Sequence, residues 1–194
     1  MQVNYTNRKG QTYTFYKGQT KAGKPRYYFG RTASGQAEPV TEIPPGFNIS
    51  ESVNGVVSLA KDRPSLIQPQ EIATIEAALK RHPKAHLYQI SVKPDLIEIY
   101  EQTTPDLDTL LRGMDMPFPL NPDRLQANLI SHAQYSPVLR FILLDPTKRQ
   151  FGAKRMCYRS SIDGWLELLQ TGSITDLAHT LIPTLGTDDF FELM

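Results

Sequence analysis

The chain carries one cysteine in 194 residues, Cys157. A lone thiol excludes an internal disulfide and fits a reducing compartment. Long apolar runs are also missing. The longest, residues 141–144, is strand-sized, which argues against a membrane partner. The opening residues MQVNYTNRKG hold no apolar stretch of the secretory type. The expectation is therefore no signal peptide and a cytoplasmic location. Internal repeats, coiled-coil heptads and low-complexity tracts are absent as well. The most informative lack is of acid. Residues 1–31 contain no Asp or Glu, yet hold Arg8, Lys9, Lys17, Lys21, Lys24, Arg26 and Arg31. The whole chain is only +1, so the remainder is acidic. Separation of charge on this scale speaks to partners rather than to fold.

What is present reads as an α+β protein: an N-terminal antiparallel β unit over 1–62 that packs on, or continues as one domain into, a mixed α+β unit over 67–194. Thr12 to Lys17 (TYTFYK) and Pro25 to Arg31 (PRYYFGR) are β-branched and aromatic, as strands are. Gly18 and Gly23 are expected to free the turn between them. Asn54-Gly55 lies between two strand-like runs and predicts a two-residue hairpin turn, giving four or five strands in all. Residues 61–69 form the junction. After Pro69, the spacing of Ile72, Ile75 and Leu79 predicts a helix stopped by Pro83. Strands are predicted over 86–93 and 96–101, short helices from Thr104 to Arg112 and after Asn121, and a hairpin from 138–145 and 151–159. Residues 165–169 read as a short amphipathic piece. Ser173 and Asp176 predict the cap of a helix over 174–182. The expected core is Phe15, Phe29, Ile49, Ile72, Ile75, Leu79, Ile90, Ile99, Leu139, Phe141, Leu143, Trp165, Leu177 and Leu181.

Motifs for catalysis are scarce. Gly18, Gly23 and Lys24 stand in the register of a phosphate-binding loop, but Pro25 replaces the hydroxyl that would meet magnesium. Arg26-Tyr27-Tyr28-Phe29 then continues as strand, where such a loop opens a helix. Of the four histidines, His82 and His86 have ligand-like separation, but Pro83 and an expected helix-to-strand transition lie between them, and no cysteine pair supports zinc. Asp95, Glu98 and Glu101 flank one strand, and alternation sends Glu98 and Glu101 to opposite faces. Cys157 sits among Lys154, Arg155 and Arg159 without a His or Asp partner, and reads as a half-buried strand residue. No catalytic residue, metal or cofactor is therefore assigned.

The acid-free segment interleaves its cations with Tyr5, Tyr13, Phe15, Tyr16, Tyr27, Tyr28 and Phe29. If residues 12–17 and 25–31 pair, alternation sends Tyr13, Phe15, Tyr27 and Phe29 inward. Tyr16, Arg26 and Tyr28 then face outward. Such a surface, rimmed by Arg8, Lys9, Lys17, Lys24 and Arg31, suits single-stranded RNA or DNA, with bases on aromatics and phosphates on cations. The competing explanation is a solvated sheet face whose lysines and arginines discourage edge pairing. Lys148, Arg149, Lys154, Arg155 and Arg159 form a second basic stretch. Two other function classes stay open: a protein–protein adaptor using Met114, Met116 and Phe118, and an enzyme with a dispersed site.

The segments NRKG, TKAGKPRYYF, PPGFNISESVNGVVSL and IDGWLELLQTGSITDLAHTLIPTLGTDDFFEL together resemble an uncharacterised bacterial protein family with an N-terminal NRKG…TKxGKPxYxF segment. The resemblance implies a free-standing bacterial protein. It brings no activity, cofactor or site residue.

Overall fold

The computed structural model describes residues 1–105, 132–159 and 162–193, with the side chains of 158, 159, 162 and 163 left aside. Antiparallel sheets dominate, joined by a few helices. Two compact units are present: of the described residues, Met1–Arg63 and His132 form the first and the rest form the second. The helices expected after Thr104 and Asn121, and the Met114–Phe118 patch, lie outside the described residues.

The first unit contains β1 (Asn4–Thr6), β2 (Thr12–Gln19), β3 (Pro25–Gly30), β4 (Glu38–Pro39), β5 (Phe47–Glu51) and β6 (Val57–Lys61). β2 is central: β3 runs along one side of it, while β1 and β4 pair with its two ends. β5 and β6 form a separate two-stranded ribbon. Six strands in two sheets thus replace the four or five expected. β4 had been invisible because two residues ending in proline carry no periodicity.

One turn design recurs three times. In Asn7–Gln11, Thr20–Lys24 and Ser52–Val56, the first amide donates to the last carbonyl at 2.9, 2.8 and 2.9 Å. The glycine amide (Gly10, Gly23 or Gly55) donates back to the first carbonyl, at 2.9 Å each time. The first side chain, Asn7 Oδ1, Thr20 Oγ1 or Ser52 Oγ, accepts the last amide at 2.8, 3.1 and 3.1 Å. Each glycine is left-handed, with φ of 73°, 75° and 79°. This is the three-residue hairpin loop, a turn followed by one left-handed residue.

Two expectations are corrected by it. The Asn54-Gly55 turn has three residues rather than two, because the Ser52 hydroxyl captures the Val56 amide and only Gly55 turns left-handed. Gly18 is not a turn residue; it lies inside β2, opposite Arg26.

The second unit holds a five-stranded meander: β7 (Tyr88–Lys93), β8 (Leu96–Gln102), β9 (Tyr135–Asp145), β10 (Gln150–Arg159) and β11 (Ile162–Gly172). Helix α1 (Pro69–Arg81) packs against α2 (Ile174–Leu181), and a short α3 (Asp188–Glu192) follows. Ser173 Oγ caps α2 by accepting the Asp176 amide at 3.2 Å. Ile75, Ile97, Ile99, Leu139, Phe141, Phe151 and Leu181 are fully buried in one continuous core. Ile72 and Ile90 pack at its edge, while Phe29, Ile49 and Trp165 are only half-buried.

Residues 165–169 belong to β11, not to a separate amphipathic piece. Ala153 pairs with Leu168 but Gly152 pairs with Thr171, so residues 169–170 bulge outward. The bulge breaks the two-residue alternation and imitates helical spacing. Of the closing aromatics, Phe190 is buried and Phe191 is exposed.

Candidate functional site

Pairing of Phe15 with Phe29 and Tyr16 with Tyr28 fixes the faces of the β2–β3 hairpin. Phe15 is fully buried and touches Tyr27 and Phe29, with centroids 5.7 and 4.9 Å away. On the opposite face Tyr16 and Tyr28 stack at 5.6 Å. The Arg26 guanidinium carbon lies 5.7 Å from the Tyr28 centroid, two residues along the same strand face.

Over this face runs the chain that leads into β4. Its Ser34 amide donates to the Tyr28 hydroxyl at 2.8 Å. Between chain and sheet lies a cleft of about 760 Å³, lined by Lys17, Gly18, Arg26, Tyr28, Ser34 and Ala37, with Gln19, Gln36 and Glu38 also at its walls. Gly18 has a steric reason to be glycine. A Cβ there would stand 3.3 Å from the Ala37 Cβ and 3.7 Å from the Tyr28 ring. A Cβ at Gly30 would meet the Tyr28 ring at 3.2 Å and the Thr32 carbonyl at 3.0 Å. Tyr28 therefore lies back over two side-chain-free positions, and its ring forms part of the cleft wall.

The candidate residues do not all gather here. Lys17 reaches the cleft lining, but its Nζ sits 5.9 Å from the centroid of Tyr27, which shares the face of Phe15 yet is exposed rather than turned into the core as expected. Lys24 is in the Thr20–Lys24 turn and Arg31 follows β3; both are exposed and outside the lining. Lys9 is half-buried, with its aliphatic stem 3.4 Å from where a Cβ on Gly55 would stand.

Arg8 is committed elsewhere. Its Nε and its backbone amide donate to Glu51 Oε1 at 2.9 and 3.0 Å, and Nη2 donates to the Ser52 carbonyl at 3.0 Å. Tyr5 adds its hydroxyl to Glu51 Oε2 at 2.9 Å. Burial alone would raise the Glu51 pKa, but these donors outweigh it and hold the carboxyl below its ordinary value. Arg8 thus ties the first turn to the β5–β6 ribbon.

Two arginines of the second basic stretch are also structural. Arg149 donates to both oxygens of Glu71, at 2.9 and 2.5 Å, and to the Leu66 carbonyl at 3.1 Å. The buried Arg155 donates to the carbonyls of Leu193 and Phe191 at 2.8 and 2.9 Å, holding the C-terminal segment. Neither guanidinium is left as a simple surface cation.

Sequence reasoning passed over Glu98. It is buried in the sheet between Lys93 and Arg140. One signal was available: an acid and an arginine each interrupt an apolar strand, LIEIYEQ and VLRFILLD. Cys157 is a half-buried residue of β10. Among the described residues no group of three or more His, Cys, Asp or Glu is placed to hold a metal ion, and no helix is long and apolar enough to cross a membrane. No family model, curated protein or solved structure matches the chain.

Proposed function

We propose that the N-terminal unit binds single-stranded nucleic acid, RNA or DNA, through the cleft beside Tyr28. One observation carries this reading: Tyr28 and Arg26, an aromatic and a cation, line a single cleft of about 760 Å³, with Lys17 at its wall and its ammonium turned toward Tyr27. That volume is in the range of small-molecule sites. A base lies against the tyrosine edge of the cleft, its phosphate at Arg26. The strand continues toward the exposed turn that carries Lys21 and Lys24. Stacking is indifferent to sequence because every base presents a π-face, so the module is expected to tolerate mixed sequences. Chemistry on the ligand is not part of the proposal.

The test is a titration of labelled mixed-sequence oligonucleotides at several salt concentrations. Replacing Lys17, Lys24 and Arg26 together should weaken binding and flatten its salt dependence. Each lost phosphate contact lowers the log–log slope by about 0.7. Tyr28→Ala should cost about 1–3 kcal/mol of binding with nearly the same slope. Tyr28→Phe keeps the ring, loses only the Ser34 bond, and should bind better than the alanine variant. Absence of binding by the wild type at low salt would leave the cleft as a feature of a solvated sheet and end the reading. Magnesium-dependent ATP binding lost in Lys24→Ala would instead revive the phosphate-loop spelling of residues 18–24.

A further inference from the structure

The sheet of the second unit carries a different charged group. Glu98 on β8 pairs with Arg140 on β9, and Arg140 with Lys154 on β10. Residues directly opposite one another share a sheet face, so the three side chains form one row across the sheet. Glu98 is 1% exposed. Its Oε1 accepts Arg140 Nε at 2.9 Å and also Nη2, while Oε2 receives Lys93 Nζ at 2.6 Å and the Tyr100 hydroxyl at 3.0 Å. The Trp165 ring packs on the same guanidinium, with Cζ 3.9 Å from its centroid.

Arg140 is therefore fixed by a carboxylate on one edge and an indole on one face. Its bonds to Glu98 leave from Nε and Nη2; Nη1 has no acceptor among the described residues. Among the described residues no buried side-chain polar atom lacks a partner, so Nη1 opens to water. The next residue in the row, Lys154, is only loosely matched. Its acid, Glu167, is 3.9 Å away on a side chain 71% exposed. One buried carboxylate already faces two cations, and Lys154, opposite Arg140 in the register, adds a third to the row.

We propose that the Nη1 edge of Arg140 and the ammonium of Lys154 together receive one phosphate-type oxyanion. The chemistry is that of a guanidinium held in plane by stacking, with a lysine as point charge. Such a pair offers converging N–H donors to a tetrahedral group with several acceptor oxygens. Preorganisation is the decisive feature. Arg140 need not be ordered on binding, because Glu98 and Trp165 already order it. The phosphate is either free in solution or a group on a larger molecule.

Trp165 is the only tryptophan and packs on Arg140, so its emission reports on this row. The full-length protein is titrated with inorganic phosphate, with glycerol phosphate, and with chloride at matched ionic strength. A saturable change with either phosphate but not with chloride is expected. The tighter of the two identifies the source, inorganic phosphate for a free ion and the ester for a carried group. Lys154→Met leaves the Glu98 bonds untouched and should raise the midpoint about tenfold, the loss of one modest charge contact. Equal responses to chloride and phosphate, no saturation with either phosphate, or an unchanged midpoint in Lys154→Met each overturns the proposal.

Discussion

Within Met1–Arg63 the large apolar side chains buried below a tenth of their surface are Phe15, Val53 and Val57. The second unit instead buries one continuous cluster that runs from Ile67 on the approach to α1, through β8 and β9, to Phe190 on α3. The first unit makes up the difference with side-chain hydrogen bonds to its own turns. Asn7 alone accepts the amides of Lys9 and Gln11 at 3.0 and 2.8 Å, and donates to the Gly55 carbonyl at 2.7 Å. Apolar burial is non-directional and tolerates repacking, whereas turn hydrogen bonds are local and leave orphaned groups when broken. A small unit held by polar turns can display cations and tyrosines on its faces. A unit held by a large core conceals most of its side chains instead.

If that contrast is correct, truncation in the large core has the largest effect. Phe141→Ala, at a fully buried position, should destabilise by about 3–5 kcal/mol. Denaturant unfolding followed by far-ultraviolet circular dichroism measures it, and a loss near zero would mean that the cluster around Phe141 is loosely packed. In the first unit, Asn7→Ala strands two amides and the Gly55 carbonyl. It should cost about 1–3 kcal/mol, felt locally. Hydrogen exchange would show the Gln11 amide exchanging faster while the amides of β9 stay protected; uniform acceleration would refute the local character of these turns.

The smallest effect separates charge from packing within the second unit. Burial pushes the Glu98 carboxyl up, but the hydrogen bonds from Lys93, Arg140 and Tyr100 outweigh it, so its pKa lies below the ordinary 4.5. Below that ordinary value the unfolded chain takes up the proton first. Glu98 therefore contributes its stability above about pH 4.5 and loses it as pH falls through the folded-state value. The contribution is modest because Lys93 is 47% exposed and screened. Stability measured against pH should carry this acid limb in the wild type and lack it in Glu98→Gln; an identical limb in both would assign it to other carboxyls.

Periodicity made part of this legible. Two-residue alternation separates Tyr28 and Arg26 from Tyr27 and Phe29 before any coordinates, and the three-four spacing of Ile72, Ile75 and Leu79 gives the buried side of α1. What stayed hidden is whatever depends on a partner distant in sequence. Nothing near Arg8 announces Glu51, and nothing near Arg149 announces Glu71, so both arginines read as surface cations. The segment around Ser34 has no period at all, and the cleft over Tyr28 could not be foreseen without it. Glu98 looked like one of three scattered acids because its meaning lies in a register, the pairing of β8 with β9.

The meander β7 to β11 has a kinetic consequence. Each strand pairs with its neighbour in sequence, yet the connections differ greatly in length. β9 and β10 are joined through residues 146–149 alone, whereas β8 reaches β9 only across residues 103–134. For a flexible chain, a connection as long as the second costs about 2 kcal/mol more entropy to close than one as long as the first. Connection length favours a sheet nucleus at β9–β10–β11, with the β7–β8 hairpin docking afterwards as a preformed piece. Arg140 waits on the first of these pieces and Glu98 arrives on the second. The ion pair at the centre of the sheet is then a late event in folding, one that slows unfolding more than it speeds assembly.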